Sequence, residues 1–370
     1  LVRYGETVVL CNVTMSEKPR EGIDFFPLSV EFEEKLYAVG RIPGSFMRRE
    51  GRPGEKAILT SRVVDRPIRP LFPKEMRNDV CVTMTVMSVD QDCSPEIAGM
   101  IGTSIALSIS EIPWKGPIGG VFMGLVDGQL VVNPTLEQRQ NSDLQLTVAA
   151  TMNKIVMIEA GANEVDEATM LEAIKMAHGE IKKIIAFING IVAEIGKPKI
   201  DFVSMDLDYD LFTKIRAEYL DDFKAAMDTD DKNVRDARLL PIQDKLEAEY
   251  PDLDDATVGL IMYKMQKYVV RRWLLDDGKR VDGRGINEIR PLAAEVGLLP
   301  RVHGSGMFTR GQTQVLTTCT LGNTKDSQLM DDLGTEPYKR YIHHYNFPPY
   351  SVGEARAPRS PGRREIGHGA

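Results

Sequence analysis

Hydrophobic and polar residues alternate along several short runs of the first 200 residues, which is the pattern of strands with one buried face. The run Val80–Val89 alternates regularly, and Leu144–Ala150 and Ile155–Gly161 predict two further strands. The run Val121–Val132 predicts a hairpin, because Asp127-Gly128 within it is a pair that favours a tight turn.

Two longer segments of the same region have helical character. Pro95–Ser110 is rich in small residues suited to close packing, and Glu164–Val192 carries apolar residues at helical spacing. The residues on this second face are Leu171, Ile174, His178, Ile181, Ile185 and Ile188. Strands and helices mixed in this order predict an α+β or α/β layered domain over residues 1–200.

The pattern changes at Asp201, where β-branched alternation stops and helical periodicity takes over. One apolar helix face is marked by Val258, Ile261, Met265, Val269 and Trp273. Asp254 or Asp255 is a candidate N-cap for this helix, and Gly278 lies just beyond its end. We therefore predict an all-helical domain over 201–278 and a new β-rich unit over 279–370, which stops before its sheet is complete.

Charge is distributed unevenly along the chain. The net charge of −8 alone argues against a nucleic-acid partner. Residues 41–69, however, hold eight Lys or Arg against three Asp or Glu, whereas residues 206–255 hold seven against sixteen. A basic stripe on an acidic body concentrates anion binding at one place.

The sequence shows no sign of a membrane-spanning segment or of a zinc site. No apolar run reaches the 18 or so residues of a membrane span. The four cysteines are scattered, and none forms the paired spacing of a zinc site. Buried free thiols are expected, which favours a reducing cytoplasmic location.

An arginine-bearing pattern occurs twice, at 40–69 and at 347–369, and each copy follows a β-like run, Arg3–Val13 or Thr309–Leu321. Gly5 aligns with Gly311, Thr7 with Thr313, Gly40 with Gly353, and Arg48-Arg49 with Arg363-Arg364 after a short gap. A duplicated unit that delivers paired arginines to matching places predicts two related surfaces for one polyanion.

Four long strings in the second copy carry a family resemblance. They are KRVDGR at 279–284, HGSGMFTRGQTQVL at 303–316, HYNFPPYSVGE at 344–354 and SPGRREIGHG at 360–369. These strings resemble the RNase PH family, and two such units around a helical insert are similar to the bacterial polynucleotide phosphorylases. The resemblance implies an α+β fold with two RNase PH-like units of the ribosomal protein S5 domain 2-like type, the second truncated, joined by an all-helical domain.

The same resemblance implies a function and an assembly. It implies a homotrimeric ring whose central channel admits single-stranded RNA. It also implies phosphate-dependent 3′-to-5′ degradation of RNA to nucleoside diphosphates in mRNA turnover, and the reverse polymerisation. The native N-terminus, most of the second core and the family's KH and S1 modules are expected to lie outside this chain.

Phe46, Arg48, Arg49 and Arg52 stand among Gly and Pro residues, which predict a loop. An aromatic ring beside arginines can stack a base and hold its phosphates. An isolated pair of arginines is more often a solvated charged loop. The resemblance favours RNA binding, because this loop lines the channel constriction in the family, where Met47 replaces a second aromatic residue.

Arg62, Arg66 and Arg69 would lie near one another if their segment is helical, although Pro67 predicts a break there. Salt bridging, with Asp65 as a candidate partner, and RNA contact are equally compatible with this spacing. The resemblance favours RNA or phosphate contact for Arg62 and Arg69. Arg284 is a candidate ion-pair residue, for which the resemblance implies RNA binding.

Arg363, Arg364 and His368 are the catalytic candidates. Two adjacent guanidinium groups can hold a backbone phosphate next to the scissile bond, and His368 can donate a hydrogen bond to phosphate or sugar. His343 and His344 are interpreted as structural, because neighbours on a strand point to opposite faces.

A cofactor and an alternative function complete the sequence-based expectations. The resemblance implies Mg²⁺ and places its ligands beyond residue 370, so the chain itself is expected to be inactive and to hold no metal. The expected partners are single-stranded RNA, inorganic phosphate and nucleoside diphosphates. A non-catalytic RNA-channel subunit of an exosome-like ring is the alternative, since it would keep the basic loops without the metal site.

Overall fold

The computed structural model describes residues 1–20, 23, 25–204, 207–335 and 338–369. The elements, in chain order, are β1 (Val2–Tyr4), β2 (Thr7–Pro19), β3 (Leu28–Glu33), α1 (Glu55–Ile68), β4 (Asn78–Ser88), α2 (Pro95–Ile109), β5 (Gly119–Val126), β6 (Gln129–Val132), α3 (Leu136–Gln140), β7 (Leu144–Ala150), β8 (Ile155–Ala162), α4 (Glu167–Ile195), α5 (Tyr209–Met227), α6 (Lys232–Glu249), α7 (Asp255–Asp276), β9 (Leu292–Val296), β10 (Gly304–Arg310), β11 (Thr313–Cys319), β12 (Gln328–Leu329), β13 (Tyr338–Lys339) and α8 (Arg363–Gly369). This mixture of sheets and helices confirms the predicted α+β class.

The described chain divides into two compact units. The first contains 1–20, 25–204 and the described part of 327–369, and the second contains residue 23 and 207–326. The arginine-bearing segment of the second copy therefore belongs to the same unit as the first copy. The hairpin of the second copy belongs to the other unit.

The first unit begins with a four-stranded sheet in the order β1-β2-β4-β3, in which β3 runs parallel to β4 and the other pairs are antiparallel. Strand β4 buries every second residue, as the alternation predicts, and Val80, Val82, Met84 and Val86 are almost completely enclosed. Helix α2 packs closely on this sheet, because a Cβ at Gly102 would collide with the Sγ atom of Cys11. The small residues of α2 thus allow the close approach that the sequence predicts.

A second antiparallel sheet has the order β6-β5-β7-β8. Its β5–β6 hairpin turns at Asp127 and Gly128, whose φ angles of 50° and 75° confirm the predicted tight turn. Helix α4 covers the sheet with a buried stripe formed by Ala173, Ala177, Ile181, Ile185 and Ile188. The helix begins three residues later than predicted, because Asp166 caps it by accepting a hydrogen bond from the Thr169 N–H at 2.9 Å.

The second unit contains a three-helix cluster formed by α5, α6 and α7. The predicted face of α7 is buried, and Tyr219 and Phe223 of α5 pack into the same core. The Asp254 carboxylate accepts a hydrogen bond from the Thr257 N–H at 2.8 Å, so Asp254 is the cap of α7. The predicted all-helical insert is confirmed.

The same unit contains an antiparallel sheet in the order β11-β10-β9. Its β10–β11 hairpin turns at Gly311 with a φ of 58°, and the β1–β2 hairpin of the first copy turns at Gly5 with a φ of 57°. A non-glycine residue is strained in this left-handed region, so the aligned glycines have the same structural role. All seven residues of β11 are exposed, including Cys319, so the expectation of a buried thiol is wrong there.

The two copies share a second feature, a short 3-10 helix that ends at a left-handed glycine. Leu36–Val39 ends at Gly40 with a φ of 69°, and Pro349–Val352 ends at Gly353 with a φ of 77°. Beyond these glycines the predicted alignment of Arg48-Arg49 with Arg363-Arg364 is wrong. Helices α1 and α8 both begin directly after a Pro-Gly pair, so Arg363-Arg364 corresponds to Glu55-Lys56.

The error has a physical cause in loop length. Thirteen residues, 41–53, separate the left-handed glycine from Gly54 in the first copy, whereas eight residues, 354–361, separate it from Gly362 in the second. Arg48-Arg49 lies within the longer loop of the first copy. The two arginine pairs therefore come from different elements, a loop and a helix N-terminus.

The predicted break at Pro67 does not occur, since α1 continues through Pro67 to Ile68. Proline removes one backbone donor, and this proline stands in the last turn, where the helix is about to end. The chain then tightens into a 3-10 turn over Arg69–Leu71. Helical spacing therefore does apply to Arg62, Arg66 and Arg69.

Candidate nucleic-acid interface

The basic loop, residues 41–54, projects its tip into solvent. The backbone turns at Ser45, whose carbonyl accepts a hydrogen bond from the Arg48 N–H at 2.9 Å, and Arg48 has a left-handed φ of 50°. Phe46 is 98% exposed and Met47 is 78% exposed. An aromatic ring exposed to this extent is available to stack a base.

Contacts at its base hold the loop in place. The Gly44 N–H donates to the Asp331 carboxylate at 2.9 Å, and the Arg41 guanidinium donates to the Asp332 carbonyl. The Glu50 carboxylate accepts from the Leu36 N–H at 3.1 Å, and its backbone hydrogen bonds lower the pKa of Glu50. The exposed tip is therefore carried on a braced stem.

The arginines of the loop are not neutralised within the described part of the chain. Arg48, Arg49 and Arg52 are exposed, and no described carboxylate lies within ion-pair distance of any of them. The Arg52 guanidinium instead lies 3.4 Å from the Ser360 hydroxyl, just ahead of α8. This contact joins the basic loop to the second arginine segment.

Helix α8 packs against α1 and brings its glycine-rich end to Arg62. A Cβ at Gly367 would lie 2.5 Å from the Arg62 Nε atom, so the arginine side chain lies directly against this glycine. Arg62 is exposed and forms no ion pair with a described residue. The structure thus places Arg62 against Gly367, the residue before His368, a proximity that spacing along the chain does not reveal.

Arg363 is fixed to the first sheet at the start of α8. Its guanidinium forms an ion pair with Glu31 and donates to the Val30 carbonyl at 2.8 Å. Its side chain remains 43% exposed, so part of the guanidinium faces solvent. Arg363 therefore orients α8 on strand β3 and can still offer donors to an anion.

Arg364 and His368 belong to a row of stacked groups. The Arg364 guanidinium lies 4.0 Å from the centre of the Phe347 ring, and Phe347 stacks on Tyr345 at 6.2 Å with an interplanar angle of 16°. Tyr345 contacts the His368 ring at 4.6 Å. The row holds a cation and an imidazole at its two ends, both exposed.

Glu365 fixes the start of α8 relative to this row. Its carboxylate accepts hydrogen bonds from the Phe347 N–H at 2.9 Å and the Gly362 N–H at 2.8 Å. These two backbone donors lower the pKa of Glu365. The carboxylate also complements the positive end of the helix, so α8 begins at a defined residue although it is short.

Arg69 and Arg66 are occupied by neighbouring groups. Arg69 forms a 2.8 Å ion pair with Asp65 and donates to the Leu28 carbonyl at 3.1 Å. Arg66 forms an ion pair with Glu159. The salt bridge between Asp65 and Arg69 is the structural alternative that the sequence left open. Arg62 is the one of the three arginines that has no ion-pair partner among the described residues.

Arg284 lies in the second unit and is likewise engaged. Its side chain is only 11% exposed, forms a 2.8 Å ion pair with Asp282 and donates to the Glu288 carbonyl at 2.8 Å. The hydrogen bond from Arg284 lowers the pKa of Asp282. This arrangement favours the ion-pair interpretation of Arg284.

Sequence reasoning missed four residues of the site, namely Glu31, Tyr345, Phe347 and Ser360. Alternating aromatic residues directly before a basic motif could have indicated the row that Tyr345 and Phe347 form. No local signal marks Glu31, because its ion-pair partner Arg363 is more than 300 residues away in the sequence. Ser360 carries no motif of its own.

The described residues were compared with the ligand clusters that hold metal ions. None of them form a group of three or more His, Cys, Asp or Glu side chains that could hold an ion. The described residues therefore offer the Mg²⁺ that the resemblance implies no cluster of three such ligands. Within the same part of the chain, no helix is long and apolar enough to cross a membrane.

Comparison with family models gives three matches. The model described as "3′ exoribonuclease family, domain 1" matches residues 1–113 and again 288–370, and domain 2 of the same family matches 116–180. The model described as "Polyribonucleotide nucleotidyltransferase, RNA binding domain" matches 210–285. The double match confirms the internal repeat.

Curated relatives give the same result. The chain is 58% identical over 374 residues to the polyribonucleotide nucleotidyltransferase of Ruminiclostridium cellulolyticum, covering all of this chain and 53% of that protein. It is 55% identical to the proteins of the same name from Heliobacterium modesticaldum and Lachnoclostridium phytofermentans, of which it covers 53% and 54%. The chain thus spans about half the length of the curated relatives it matches.

Proposed function

The chain belongs to the RNase PH 3′ exoribonuclease family, and on that premise we propose that it is the RNA-guiding part of a polyribonucleotide nucleotidyltransferase. The proposed activity of the whole protein is phosphate-dependent degradation of single-stranded RNA from its 3′ end. The products are nucleoside diphosphates, and the reverse reaction polymerises them.

The exposed tip of the basic loop carries this proposal. Phe46 presents its ring to solvent beside Arg48 and Arg49, and no described carboxylate lies within ion-pair distance of these cations. Stacking accepts any base and arginine accepts any phosphate, so the tip suits single-stranded RNA without sequence preference.

The α8 surface supplies the chemistry expected next to the scissile bond. In phosphorolysis an oxygen of inorganic phosphate bonds to the terminal phosphorus atom, and the bond to the 3′ oxygen of the preceding nucleotide breaks. That oxygen gains a proton, and a nucleoside diphosphate leaves. Both reacting groups are anionic, so fixed cations must offset their repulsion.

The cations proposed to offset this repulsion are the guanidinium groups of Arg62, Arg363 and Arg364. Arg363 is oriented by Glu31, and Arg62 lies against Gly367. His368, exposed at the end of the aromatic row, is proposed to donate a hydrogen bond to phosphate or ribose. Metal chemistry, a homotrimeric ring and a cytoplasmic location are part of the same proposal and rest on the family alone.

The test is release of ADP from oligoadenylate by the full-length protein. ADP should accumulate when phosphate and Mg²⁺ are present, and omission of phosphate should stop the reaction. RNA binding without ADP release would refute the enzyme and favour a non-catalytic channel subunit. Release of AMP in the absence of phosphate would show hydrolysis and also overturn the proposal.

A further inference from the structure

Helix α7 is basic although the rest of the helical cluster is acidic. From Gly259 to Leu275 the helix carries Lys264, Lys267, Arg271 and Arg272 and no carboxylate. Residues 206–255, by contrast, hold sixteen Asp or Glu against seven Lys or Arg. A cationic helix in such surroundings marks one face on which an anion is attracted and not repelled.

Aromatic rings alternate with the cations on this face. The Arg216 guanidinium of α5 lies 5.0 Å from the centre of the Tyr268 ring and 5.9 Å from that of Phe212. On α7, the Lys267 ammonium lies 5.7 Å from the centre of the Tyr263 ring. Phe212, Arg216, Tyr263, Lys267, Tyr268 and Arg271 are named here the α5–α7 basic face.

The outer edge of this face is open to solvent. Tyr263 is 59% exposed, and Lys267 and Arg271 are exposed as well. The three residues follow one another at intervals of four, so they form a line along one side of the helix. Arg216, Tyr268 and Phe212 are half-buried beside them and form the floor.

The cations of the face have no acidic partners among the residues that the structure describes. Within the described part of the chain, no carboxylate lies within ion-pair distance of Arg216, Lys267 or Arg271. The neighbouring Arg272, which is outside the face, does form a 3.3 Å pair with Asp276. The positive charge of the face is therefore available to a partner.

We propose that the α5–α7 basic face binds single-stranded RNA, as a second contact in addition to the basic loop. Open cations fit phosphates, and rings such as Tyr263 need unstacked bases, which a duplex does not offer. The inference deepens the proposed function, because it takes RNA as the ligand and assigns it a particular surface within residues 210–285, the segment matched as an RNA binding domain.

The test compares two double variants of the 370-residue chain that remove the same charge. Lys267→Gln with Arg271→Gln alters the face, and Lys224→Gln with Lys232→Gln alters exposed lysines elsewhere in the cluster. The probe is a fluorescent 20-nucleotide oligoadenylate, titrated at several salt concentrations. Loss of two phosphate contacts should weaken binding at least about tenfold at 0.1 M salt and reduce the salt slope by about 1.4.

A third variant separates stacking from charge. Tyr263→Leu keeps the charge and alters an exposed side chain, so the loss of base stacking should weaken binding about fivefold or more without changing the salt slope. Equal effects of the two double variants would overturn the proposal, as would equal affinity for a duplex of the same length. Every variant must first be shown to be folded by circular dichroism.

The outcomes also distinguish this inference from the function on which it rests. If the face variant binds like the wild type while Arg48→Ala with Arg49→Ala weakens binding, only the second contact is refuted. If the face variant weakens binding and the loop variant does not, the second contact stands and the loop assignment falls. If the unaltered chain does not bind oligoadenylate, both are refuted.

Discussion

The two hairpins built from the repeated sequence have the same turn and opposite burial. Gly5 and Gly311 adopt φ angles of 57° and 58° at matching positions. Val9 is fully buried, whereas Val315, at the corresponding position, is 48% exposed. The turn depends on a few adjacent residues, but burial depends on elements far along the chain, in this case β4 and α2, which pack on β2. Similar local sequence therefore determines the hairpin turn but not how deeply the hairpin is buried.

The two arginine-bearing segments also differ in structure although their sequences are related. In the first copy the extra loop residues form an exposed tip that contains Phe46. In the second copy the loop is shorter, and helix α8 begins at Arg363. Both end up in the first unit, where Arg52 contacts Ser360 and Arg62 contacts Gly367. The duplication has thus diverged into an exposed basic loop in one copy and a helix N-terminus in the other, both on the same unit.

The hairpin comparison predicts unequal costs for one substitution at two aligned positions. Gly5→Ala places a Cβ 2.5 Å from the Cys93 Sγ atom in addition to the unfavourable φ, whereas Gly311→Ala meets only the flexible Arg290 side chain. We expect a loss of roughly 3 kcal/mol or more at Gly5 and about 1 kcal/mol at Gly311. Urea unfolding of the two variants measures both, and equal losses would contradict the comparison.

The segment comparison predicts that Arg363→Ala damages chemistry more than binding. Removing a cation next to a developing charge typically costs about 100-fold in rate, while one lost phosphate contact should weaken RNA binding about fivefold. Phosphorolysis rate and oligoadenylate affinity, both measured on the full-length protein, give the two numbers. Equal losses of rate and affinity would contradict the proposed position of Arg363 next to the scissile phosphate. Glu31→Gln serves as the control for a purely orienting role.

Stability should depend on pH through Glu34, which lies near the segment that braces the basic loop. Burial first, and then the Asp332 carboxylate, raise the pKa of Glu34 from 4.5 to about 7, while Glu96 adds to the rise and Lys56 opposes it. The folded state therefore holds this proton more tightly. The resulting stability is present below pH 4.5 and is lost as the pH rises through 7.

Comparison with Glu34→Gln isolates this contribution. The free energy of unfolding of the wild type should fall relative to that of the variant by about 2 kcal/mol between pH 4.5 and pH 7.5. Urea unfolding at several pH values measures the difference. Parallel pH profiles for the two proteins would show that Glu34 titrates normally in the folded chain.

Smaller effects are expected for two arginines of the α1 segment, one on stability and the other on RNA affinity. Arg69→Ala removes the Asp65 ion pair and the bond to the Leu28 carbonyl, so it should cost about 1 kcal/mol of stability with little change in RNA affinity. Arg62→Ala should leave stability almost unchanged and weaken RNA binding about threefold to fivefold. Unfolding and titration of both variants check the contrast, and it fails if both arginines behave alike.

Periodicity and turn chemistry predicted much of the fold. The alternation of β4, the apolar face of α7 and the Asp127-Gly128 turn are all local signals, and local signals were sufficient. The register of the two arginine pairs and the continuity of α1 at Pro67 were predicted wrongly. The first depends on loop length, and the second depends on where the proline falls within the last helical turn.

The candidate site was predictable only in part. Exposed arginines near glycines could be identified, but the sequence could not show which of them are already paired. Arg69 and Arg284 look as available in the sequence as Arg62, yet their guanidinium groups are held by Asp65 and Asp282. Such partners are set by packing and not by motif, and the structure is needed to separate the two groups of arginines.

The most direct test of the central claim, that the basic loop grips RNA, is the salt dependence of oligoadenylate binding to the Arg48→Ala with Arg49→Ala variant. If both arginines contact phosphates, the slope of log K against log salt should fall by about 1 to 2 relative to the wild type. The matched control, Arg3→Ala with Arg20→Ala, removes two arginines that are already ion-paired and should leave the slope unchanged. An unchanged slope for the loop variant would contradict the account.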